Sequence, residues 1–378
     1  MINYFIFAGE ASGDLHGSCL MEALRNQSPN CTFTGVGGPL MRVQHMRSIL
    51  QMEDFLVMGF SDVILNLPKL YKQFYKVRDA ILQQNPDCVI LIDYPGFNLR
   101  LAKALRKKKY RGKIVQYICP TVWAHGKSRI KTMSDTLDLL LTIFPFEASF
   151  FAHSPLKVRY IGNPLVENIH QHHYREDWTK MCGIPSTEQL IALFPGSRPG
   201  EIVQHVPLLL ETVKEIKKKW PQTSFAISCA HENLRGSLLE LIRDEDIFLV
   251  PPEYSYELMR DCKAAIAKSG TVTLELALHH TPTVVIYNLS QFNYLIAKYY
   301  LRLRLPYYCI VNIIMQKEIF PEVIGRNLKA VPIVQKTKEI LDDSAKRSDI
   351  ILDCKALQHR LGRMPTRQTA AKAIQEIL

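Results

Sequence analysis

The chain has 378 residues and a net charge of +11, and 47% of its residues are hydrophobic. This length exceeds one ordinary core and suits two α/β domains. No apolar run reaches the roughly 18 residues of a membrane-spanning helix, and no basic leader precedes the first strand signal, so we expect a cytoplasmic protein. The nine cysteines are scattered without C-x-x-C spacing, which predicts neither a disulfide framework nor a zinc site.

The first predicted strand, YFIF, runs into a segment of small residues, AGEASGDLHG at 8–17. This segment carries two carboxylates, Glu10 and Asp14, and the hydroxyl of Ser12. Such a strand-to-helix turn is where open α/β sheets place ligands, and small residues such as Gly13 let a ligand approach the backbone. The dinucleotide spacing G-x-G-x-x-G is absent. The alternative is an ordinary glycine-containing loop with Asp14 near the helix start.

Residues 58–75, MGFSDVILNLPKLYKQFY, place apolar residues at helical spacing beside the basic Lys69 and Lys72 and the aromatic Tyr71 and Tyr75. This mixture suits a membrane interface or acyl chains. An amphipathic helix packed on its own sheet is the alternative. The proline inside the pattern marks a helix start or a kink.

The run Cys88–Ile92 is continuously apolar, as expected of a buried parallel strand, and Asp93 follows it directly. A carboxylate at the carboxyl end of such a strand is placed to act as a general base on a hydroxyl, and Asn98 can hydrogen-bond a ligand. The alternative is an Asp that only forms the turn before a proline. A later strand end offers Trp123 for stacking and His125 for hydrogen bonding, although a buried tryptophan is common.

The pattern breaks near residues 162–164, and a polar stretch with three histidines follows, which we interpret as a solvated linker or helix surface. Strands then alternate with helices again, which predicts a second doubly wound domain. We expect domains at 1–165 and 166–345 with a ligand cleft between them. A helical segment at 346–378 is expected to pack back on an N-terminal domain.

The first loop of the second domain, PGSRPGE at 195–201, contains Gly196, Ser197 and Arg198 between a strand and a helix. An arginine here can pair with phosphate oxygens in a bidentate manner. Glu201 can orient that arginine or cap the helix. An exposed arginine in a plain turn is the alternative.

A second strand end, SGTVTLE at 269–275, places Ser269, Gly270 and Thr271 at the start of a helix. Free backbone N–H groups there can bind a diphosphate, and Glu275 can accept hydrogen bonds from two ribose hydroxyls. Alternatively, the hydroxyl residues only cap the helix and Glu275 only complements its dipole. Together the two loops predict a nucleoside-diphosphate site without a Walker motif.

These segments, together with VMGF at 57–60, DYPGFN at 93–98, PTVWAH at 120–125 and YCIVNII at 308–314, resemble the lipid-A-disaccharide synthase family. The resemblance covers nearly the whole chain and implies a GT-B type glycosyltransferase with two Rossmann-like domains facing across a cleft. It implies that UDP-2,3-diacylglucosamine donates its sugar, with inversion, to 2,3-diacylglucosamine 1-phosphate. The products are the β-1,6-linked disaccharide phosphate and UDP, and no metal or cofactor is implied.

The resemblance also implies residue roles. Asp93 is the first choice of general base and Glu10 the second, and residues 58–75 take acyl chains or touch the cytoplasmic face of the inner membrane. The acceptor and sugar site is expected to include Ser12, Gly13, Asp14, Asn98, Trp123 and His125. The UDP site is expected to include Gly196, Ser197, Arg198, Glu201, Ser269, Gly270, Thr271 and Glu275, with Asn312 on the nucleotide or on nearby backbone. The chain departs from the family's PSVWAWR, because His125 and Gly126 replace Trp and Arg.

Two other classes of function compete with this interpretation. Another UDP-sugar enzyme of the same fold, such as a UDP-N-acetylglucosamine 2-epimerase, would share the nucleotide site. A nucleic-acid-binding protein would need a basic face with interleaved aromatics, and only the net charge favours it, so we expect no nucleic-acid partner. A homodimer is left open.

Overall fold

The computed structural model describes residues 1–55, 67–122, 127–185, 189–288 and 306–378. Trp123 and His125, like residues 58–66 of the predicted lipid-contacting region, lie outside the described residues. The chain divides into two compact units. The first unit comprises Met1–Glu167 and Arg363–Leu378, and the second comprises Asn168–Gly362.

The first unit contains a seven-stranded, wholly parallel sheet with the order β3-β2-β1-β4-β5-β6-β7. Its strands are β1 (Ile2–Ala8), β2 (Cys31–Gly37), β3 (Arg47–Gln51), β4 (Cys88–Ile92), β5 (Lys113–Tyr117), β6 (Leu139–Thr142) and β7 (Lys157–Tyr160). Its helices are α1 (Ala11–Gln27), α2 (Pro39–Val43), α3 (Leu67–Gln84), α4 (Pro95–Lys107), α5 (Lys127–Thr136) and α6 (Pro164–Gln171). The last helix extends to Gln171, just past the boundary between the units.

Helices cover both faces of this sheet, and each face has its own apolar core. All five residues of β4 are buried, as the continuous apolar run predicts for a central parallel strand. The strands β2, β3 and β7 were not predicted, because their Thr, Gly, Arg and Ser residues break the apolar pattern. Strand pairing with β1 and β6 therefore compensates for weak local propensity.

The second unit contains a six-stranded parallel sheet with the order β10-β9-β8-β11-β12-β13. Its strands are β8 (Leu190–Phe194), β9 (Ser224–Ser228), β10 (Phe248–Val250), β11 (Ala264–Lys268), β12 (Thr283–Asn288) and β13 (Glu322–Gly325). Its helices are α7 (Trp178–Met181), α8 (Pro199–Lys219), α9 (Arg235–Leu241), α10 (Ser255–Asp261), α11 (Thr271–Leu278), α12 (Ile310–Met315), α13 (Ala330–Asp342) and α14 (Ser344–Leu361).

The predicted C-terminal segment 346–378 is divided between the two units. Helix α14 belongs to the second unit, whereas α15 (Thr366–Gln375) belongs to the first. Ala370, Ala371 and Ile374 of α15 are buried in the same core as the α1 side chains. The small alanines let the two helices approach closely.

Both sheets reverse their strand order at one position, between β1 and β4 and between β8 and β11. Loops leave the carboxyl ends of these strands on opposite sides, so a crevice forms there, and open α/β sheets bind ligands at such switch points. The register pairs Ala8 with Ile92 and Phe194 with Ala267. The predicted loops at 8–17, 93–98, 195–201 and 269–275 therefore begin at the two switch points.

Candidate active site

Asp93 lies at the switch point of the first unit in a strained turn between β4 and α4. Asp93 and Tyr94 have φ of 45° and 42°, the left-handed region that residues with a Cβ seldom adopt. The carbonyl oxygen of Asp93 accepts hydrogen bonds from the side-chain amides of Asn98 and Gln116. Such strain persists only where the surroundings enforce it, and it clusters at functional sites. The turn thus holds the backbone of Asp93 in a fixed place.

A cavity of about 780 Å³ opens at this turn. It is lined by Glu10, Leu70, Tyr71, Phe74, Tyr75, Asp93, Tyr94, Pro95, Gly96, Phe97 and Arg100. Most of its wall is apolar and aromatic, with two carboxylates and one guanidinium among the lining residues. The predicted pair Asp93 and Glu10 is thus brought into one cavity, and residues of α3, part of the predicted lipid-contacting region, also line it.

Burial raises the pKa of the Asp93 carboxyl above its usual range. The pKa of Tyr94 is also raised, first by burial and then by the negative charge of Glu10, so the Glu10 carboxylate acts within the same space. A carboxyl with a raised pKa is a stronger base once ionised, which suits proton removal from a hydroxyl.

The other residues predicted for this site have different positions. Helix α1 begins at Ala11, so Ser12, Gly13 and Asp14 lie in its first turn. Ser12 is exposed, and Gly13 is packed against the backbone of Ala8. None of the three is among the residues lining the cavity.

Asp14 has a structural role instead of the predicted contact with the acceptor. It is buried, and its carboxylate accepts hydrogen bonds from the backbone N–H groups of Gly38 (2.8 Å), Leu40 (2.9 Å) and Met41 (3.0 Å). These groups belong to the start of α2, where N–H groups lack partners within the helix. Asp14 therefore caps α2, a helix that neither interpretation of the loop predicted.

Asn98 is likewise turned inwards. It is fully buried, and its side-chain amide donates to the carbonyl oxygens of Ile92 and Asp93. The amide nitrogen thus contacts the turn that carries the candidate base, and the contact with a ligand stays a prediction.

The second unit has a cavity of about 550 Å³ at its own switch point. The predicted residues that line it are Gly196, Ser197, Glu201, Gly270, Thr271 and Glu275. Arg198 and Ser269 are not among the lining residues. Arg198 is exposed at the start of α8, and the Ser269 hydroxyl donates to the carbonyl of Tyr308.

Lys268 is the cation that this cavity contains in place of the predicted arginine. Its Nζ lies 2.9 Å from Glu201 Oε1, and the Lys268 and Glu201 side chains are 15% and 17% exposed. Glu201 Oε2 accepts a hydrogen bond from the Ser197 N–H at 3.0 Å. Burial is the largest single influence on the Glu201 pKa and acts to raise it. The hydrogen bond and charge of Lys268, the Ser197 N–H and the charge of Arg198 together outweigh burial, so the pKa of the carboxyl falls below its usual range.

Gly196 makes this arrangement possible. Its φ is 126°, and a Cβ at this position would lie 2.5 Å from Glu201 Oε2. Any other residue would displace the carboxylate, so the glycine of the PGSRPGE loop is required by the ion pair.

Glu275 lies at the other side of the cavity, next to aromatic residues. Tyr256 donates from its hydroxyl to Glu275 Oε1 at 3.2 Å, and burial raises the pKa of the Glu275 carboxyl. His172 also lines the cavity and bonds to the buried Glu257 at 3.0 Å. The predicted solvated linker or helix surface is wrong for His172, because this side chain contacts a buried carboxylate. Its partner Glu257 lies 85 positions away, so the local sequence pattern could not predict the contact.

Asn312 has no free capacity for a nucleotide. It is fully buried, its amide donates to the Phe320 carbonyl (2.7 Å) and Glu322 Oε1 (2.8 Å), and its Oδ1 accepts from the N–H groups of Ile319 (2.8 Å) and Phe320 (3.0 Å). The sequence predicted that Asn312 contacts the nucleotide or nearby backbone, and in the structure its side chain contacts nearby backbone.

Two properties concern the whole described chain. Within the described ranges, no three or more His, Cys, Asp or Glu side chains are grouped so that they could hold a metal ion. No helix in the described part is long and apolar enough to cross a membrane.

Two parallel α/β units with polar residues at their switch points define a protein of the GT-B type, and the predicted fold class is confirmed by solved structures. The Methanocaldococcus jannaschii UDP-GlcNAc 2-epimerase in complex with UDP-GlcNAc and UDP matches with a TM-score of 0.63 at 10% identity, covering 99% of this chain and 100% of that one. The glycotransferase of kitacinnamycin matches with a TM-score of 0.62 at 12% identity, covering 100% and 98%.

Sequence comparison defines the family. The model of the family "Lipid-A-disaccharide synthetase" matches residues 4–377. The lipid-A-disaccharide synthase of Geobacter sulfurreducens is 32% identical, over 99% of this chain and 96% of that protein. The Chlamydia pneumoniae lipid-A-disaccharide synthase is 39% identical over 85% of this chain, but the match spans only 53% of that relative, so the matched part of the chain covers about half the length of this relative. The chain belongs to the lipid-A-disaccharide synthase family.

Proposed function

We propose that this chain transfers 2,3-diacylglucosamine from UDP-2,3-diacylglucosamine to the 6-hydroxyl of 2,3-diacylglucosamine 1-phosphate. The observation that carries the proposal is the first unit's cavity, where Asp93 and Glu10 stand against an apolar, aromatic wall. A sugar hydroxyl needs a base, and acyl chains need an apolar surface, so an acylated sugar acceptor requires both in one place.

In the proposed step, Asp93 removes the proton of the acceptor hydroxyl as its oxygen attacks the anomeric carbon. The new C–O bond forms as the bond from that carbon to the UDP oxygen breaks, and UDP leaves with the electron pair. One displacement inverts the configuration and gives a β-linked product from an α-linked donor.

The acyl chains of the acceptor are proposed to lie along α3. Phe74 packs edge-on against Phe97 at 5.4 Å, and Phe97 stacks on Phe7 at 4.4 Å, so this wall is continuous with the core. Tyr71 and Tyr75 are exposed on the same helix, beside exposed lysines. Basic and aromatic residues on one helix suit an anionic lipid surface, which supports contact with the cytoplasmic face of the inner membrane.

Arg100 is proposed to bind the acceptor phosphate. Arg100 lies on α4, about two helical turns beyond the Asp93–Tyr94 turn, and lines the same cavity as Asp93. Among the described residues that line this cavity, Arg100 is the one cation. A guanidinium matches phosphate oxygens in a bidentate geometry. Arg100 would supply the positive charge that the chain lacks at Gly126, where the family has arginine.

The donor is proposed to bind in the cavity of the second unit. The N–H groups of Gly270 and Thr271 at the start of α11 suit a diphosphate. The carboxylate of Glu275 is available to the ribose hydroxyls.

The test is turnover of UDP-2,3-diacylglucosamine with 2,3-diacylglucosamine 1-phosphate in detergent containing EDTA. We expect disaccharide 1-phosphate and UDP in equal amounts, and unchanged rates after removal of divalent cations. Product formation only with added metal would contradict the metal-free step. No disaccharide, but conversion of UDP-N-acetylglucosamine to its 2-epimer, would favour the second UDP-sugar interpretation.

A further inference from the structure

Among its described lining residues, the cavity of the second unit has one lysine or arginine, Lys268. The remaining basic lining groups are two imidazoles, His172 and His231, and His172 is bonded to Glu257. A diphosphate brings two or more negative charges into the cavity, so its binding needs a cation at hydrogen-bonding distance.

We infer that Lys268, and not Arg198, is the residue that binds the diphosphate of the UDP-sugar donor, with Glu201 as its positioning residue. This inference rests on the proposed function. It assigns the charge-bearing contact to the last residue of β11, in front of the SGTVTLE segment.

The position of the ammonium group is the first support. A Cβ built at Gly270 would lie 3.8 Å from Lys268 Nζ, so the ammonium lies beside the N-terminus of α11. The unpaired N–H groups of that terminus carry a partial positive charge. An anion at the terminus would therefore meet the backbone donors and the ammonium at the same time.

The restraint of the ammonium is the second support. Glu201 Oε1 holds Nζ at 2.9 Å, and the Tyr287 ring lies 5.0 Å below it, where a cation is stabilised by the ring face. Glu201 is itself fixed by the Ser197 N–H. A half-buried lysine that is already ordered loses less side-chain entropy when it binds a ligand than a free surface lysine would.

The charge balance around Lys268 and Glu201 is the third support. His205 contacts the residues around the pair, since its Nδ1 lies 2.8 Å from the Glu201 backbone carbonyl and its ring stacks on Tyr287. Burial lowers the pKa of His205, so it is neutral at pH 7. The ammonium makes its ion pair with Glu201, and one carboxylate leaves it able to donate its other protons to a ligand.

The test is calorimetric binding of UDP and of uridine to the full chain. We expect Lys268→Met to weaken UDP binding by roughly 10- to 100-fold, the range of a charge-assisted hydrogen bond, and to leave uridine affinity within about twofold. Lys268→Arg, which keeps the charge, should recover most of the UDP affinity. Lys263→Met is the matched control. Lys263 directly precedes the first residue of the same strand and does not line the cavity, so this variant should bind UDP as the unmodified chain does.

Equal UDP affinity in Lys268→Met and the unmodified chain overturns the inference, and so does an equal loss for UDP and uridine, which indicates general damage. Loss of UDP binding in Arg198→Met with none in Lys268→Met would assign the contact to Arg198 and overturn it as well. These results leave UDP binding by the unmodified chain intact and so differ from failure of the proposed function. An unmodified chain that binds no UDP overturns both.

Discussion

The side-chain amide of Asn98 donates a hydrogen bond to the backbone carbonyl of Asp93, the residue proposed as the base. A second bond from the same amide reaches the Ile92 carbonyl at 3.2 Å. The first turn of α4 thus holds the left-handed turn that precedes it. We therefore expect the asparagine to act on the chemistry through the position of its neighbour.

Asn98→Leu keeps the approximate size of the side chain and removes both donors. We expect the free energy of unfolding to fall by about 1–3 kcal/mol, because buried carbonyl oxygens lose partners. We also expect kcat to fall more than KM rises, since Asp93 is displaced while the binding surfaces stay. Thermal unfolding and steady-state kinetics measure both effects. An unchanged kcat in a destabilised protein would mean that the turn needs no such support.

Asp93→Asn removes the proposed base at constant size. We expect turnover to fall by about 10²–10⁴-fold, with UDP affinity unchanged because the nucleotide cavity belongs to the other unit. Glu10→Gln is the matched variant in the same cavity and should cost less. A larger loss for Glu10→Gln would exchange the two roles.

The pH profile provides an independent check on Asp93. Its pKa is raised by burial, and a base works only when deprotonated. Activity is therefore expected to disappear as the pH falls through a value above the ordinary aspartate pKa of about 3.9. In a plot of kcat/KM against pH, the fall on the acidic side should occur above the ordinary aspartate pKa. The residual activity of Asp93→Asn should not show this fall.

Arg100→Met tests the proposed phosphate contact. We expect KM for 2,3-diacylglucosamine 1-phosphate to rise by roughly 10-fold or more, as expected for loss of a charge-assisted contact. An acceptor without phosphate should be used equally by the variant and the unmodified chain. Lys103→Met, an exposed cation on the same helix outside the cavity, is the control. Equal KM values for the phosphorylated acceptor would place the phosphate elsewhere.

The double variant Tyr71→Ser/Tyr75→Ser tests lipid contact by α3. These side chains are 59% and 43% exposed. We expect weaker co-sedimentation with anionic phospholipid vesicles, because amphipathic aromatic side chains anchor helices at the interface. Tyr308→Ser, a tyrosine 43% exposed in the second unit, should sediment like the unmodified chain. Equal sedimentation of all three proteins would remove α3 from the proposed membrane surface.

Glu147→Gln tests a buried carboxyl outside the proposed chemistry. Burial raises the pKa of Glu147 to about 8, although its Oε2 accepts from the N–H groups of Ile143 and Phe144. In the unfolded chain the Glu147 carboxyl loses its proton near the ordinary glutamate pKa, but in the folded chain it does so only near pH 8. The free energy of unfolding therefore falls as the pH rises from the ordinary glutamate pKa to about 8. Gln keeps an acceptor without the charge, so Tm should exceed that of the unmodified chain by a few degrees at pH 8 and match it near pH 4. A variant less stable at pH 8 would contradict this.

The sequence by itself determined the class of fold and the loops that carry chemistry. Continuous apolar runs such as Cys88–Ile92 predict buried parallel strands, and the residue after each run is fixed at the carboxyl end of the sheet. Asp93, Glu10 and the two glycine-containing loops of the second unit were found in this way. These features are local, since they depend on the order of residues along one strand and its following turn.

Only the tertiary structure decided which side chains of those loops face a cavity. The Asp14 carboxylate accepts a hydrogen bond at the start of α2, and the Asn312 side chain is hydrogen-bonded to the backbone at Phe320. Lys268, at the end of β11, pairs with Glu201 at the start of α8. Each of these contacts joins positions set by strand register and helix packing, and a hydrogen-bond donor or a charge binds whichever partner the fold brings within about 3 Å. Local sequence pattern contains the residue types but not these distances.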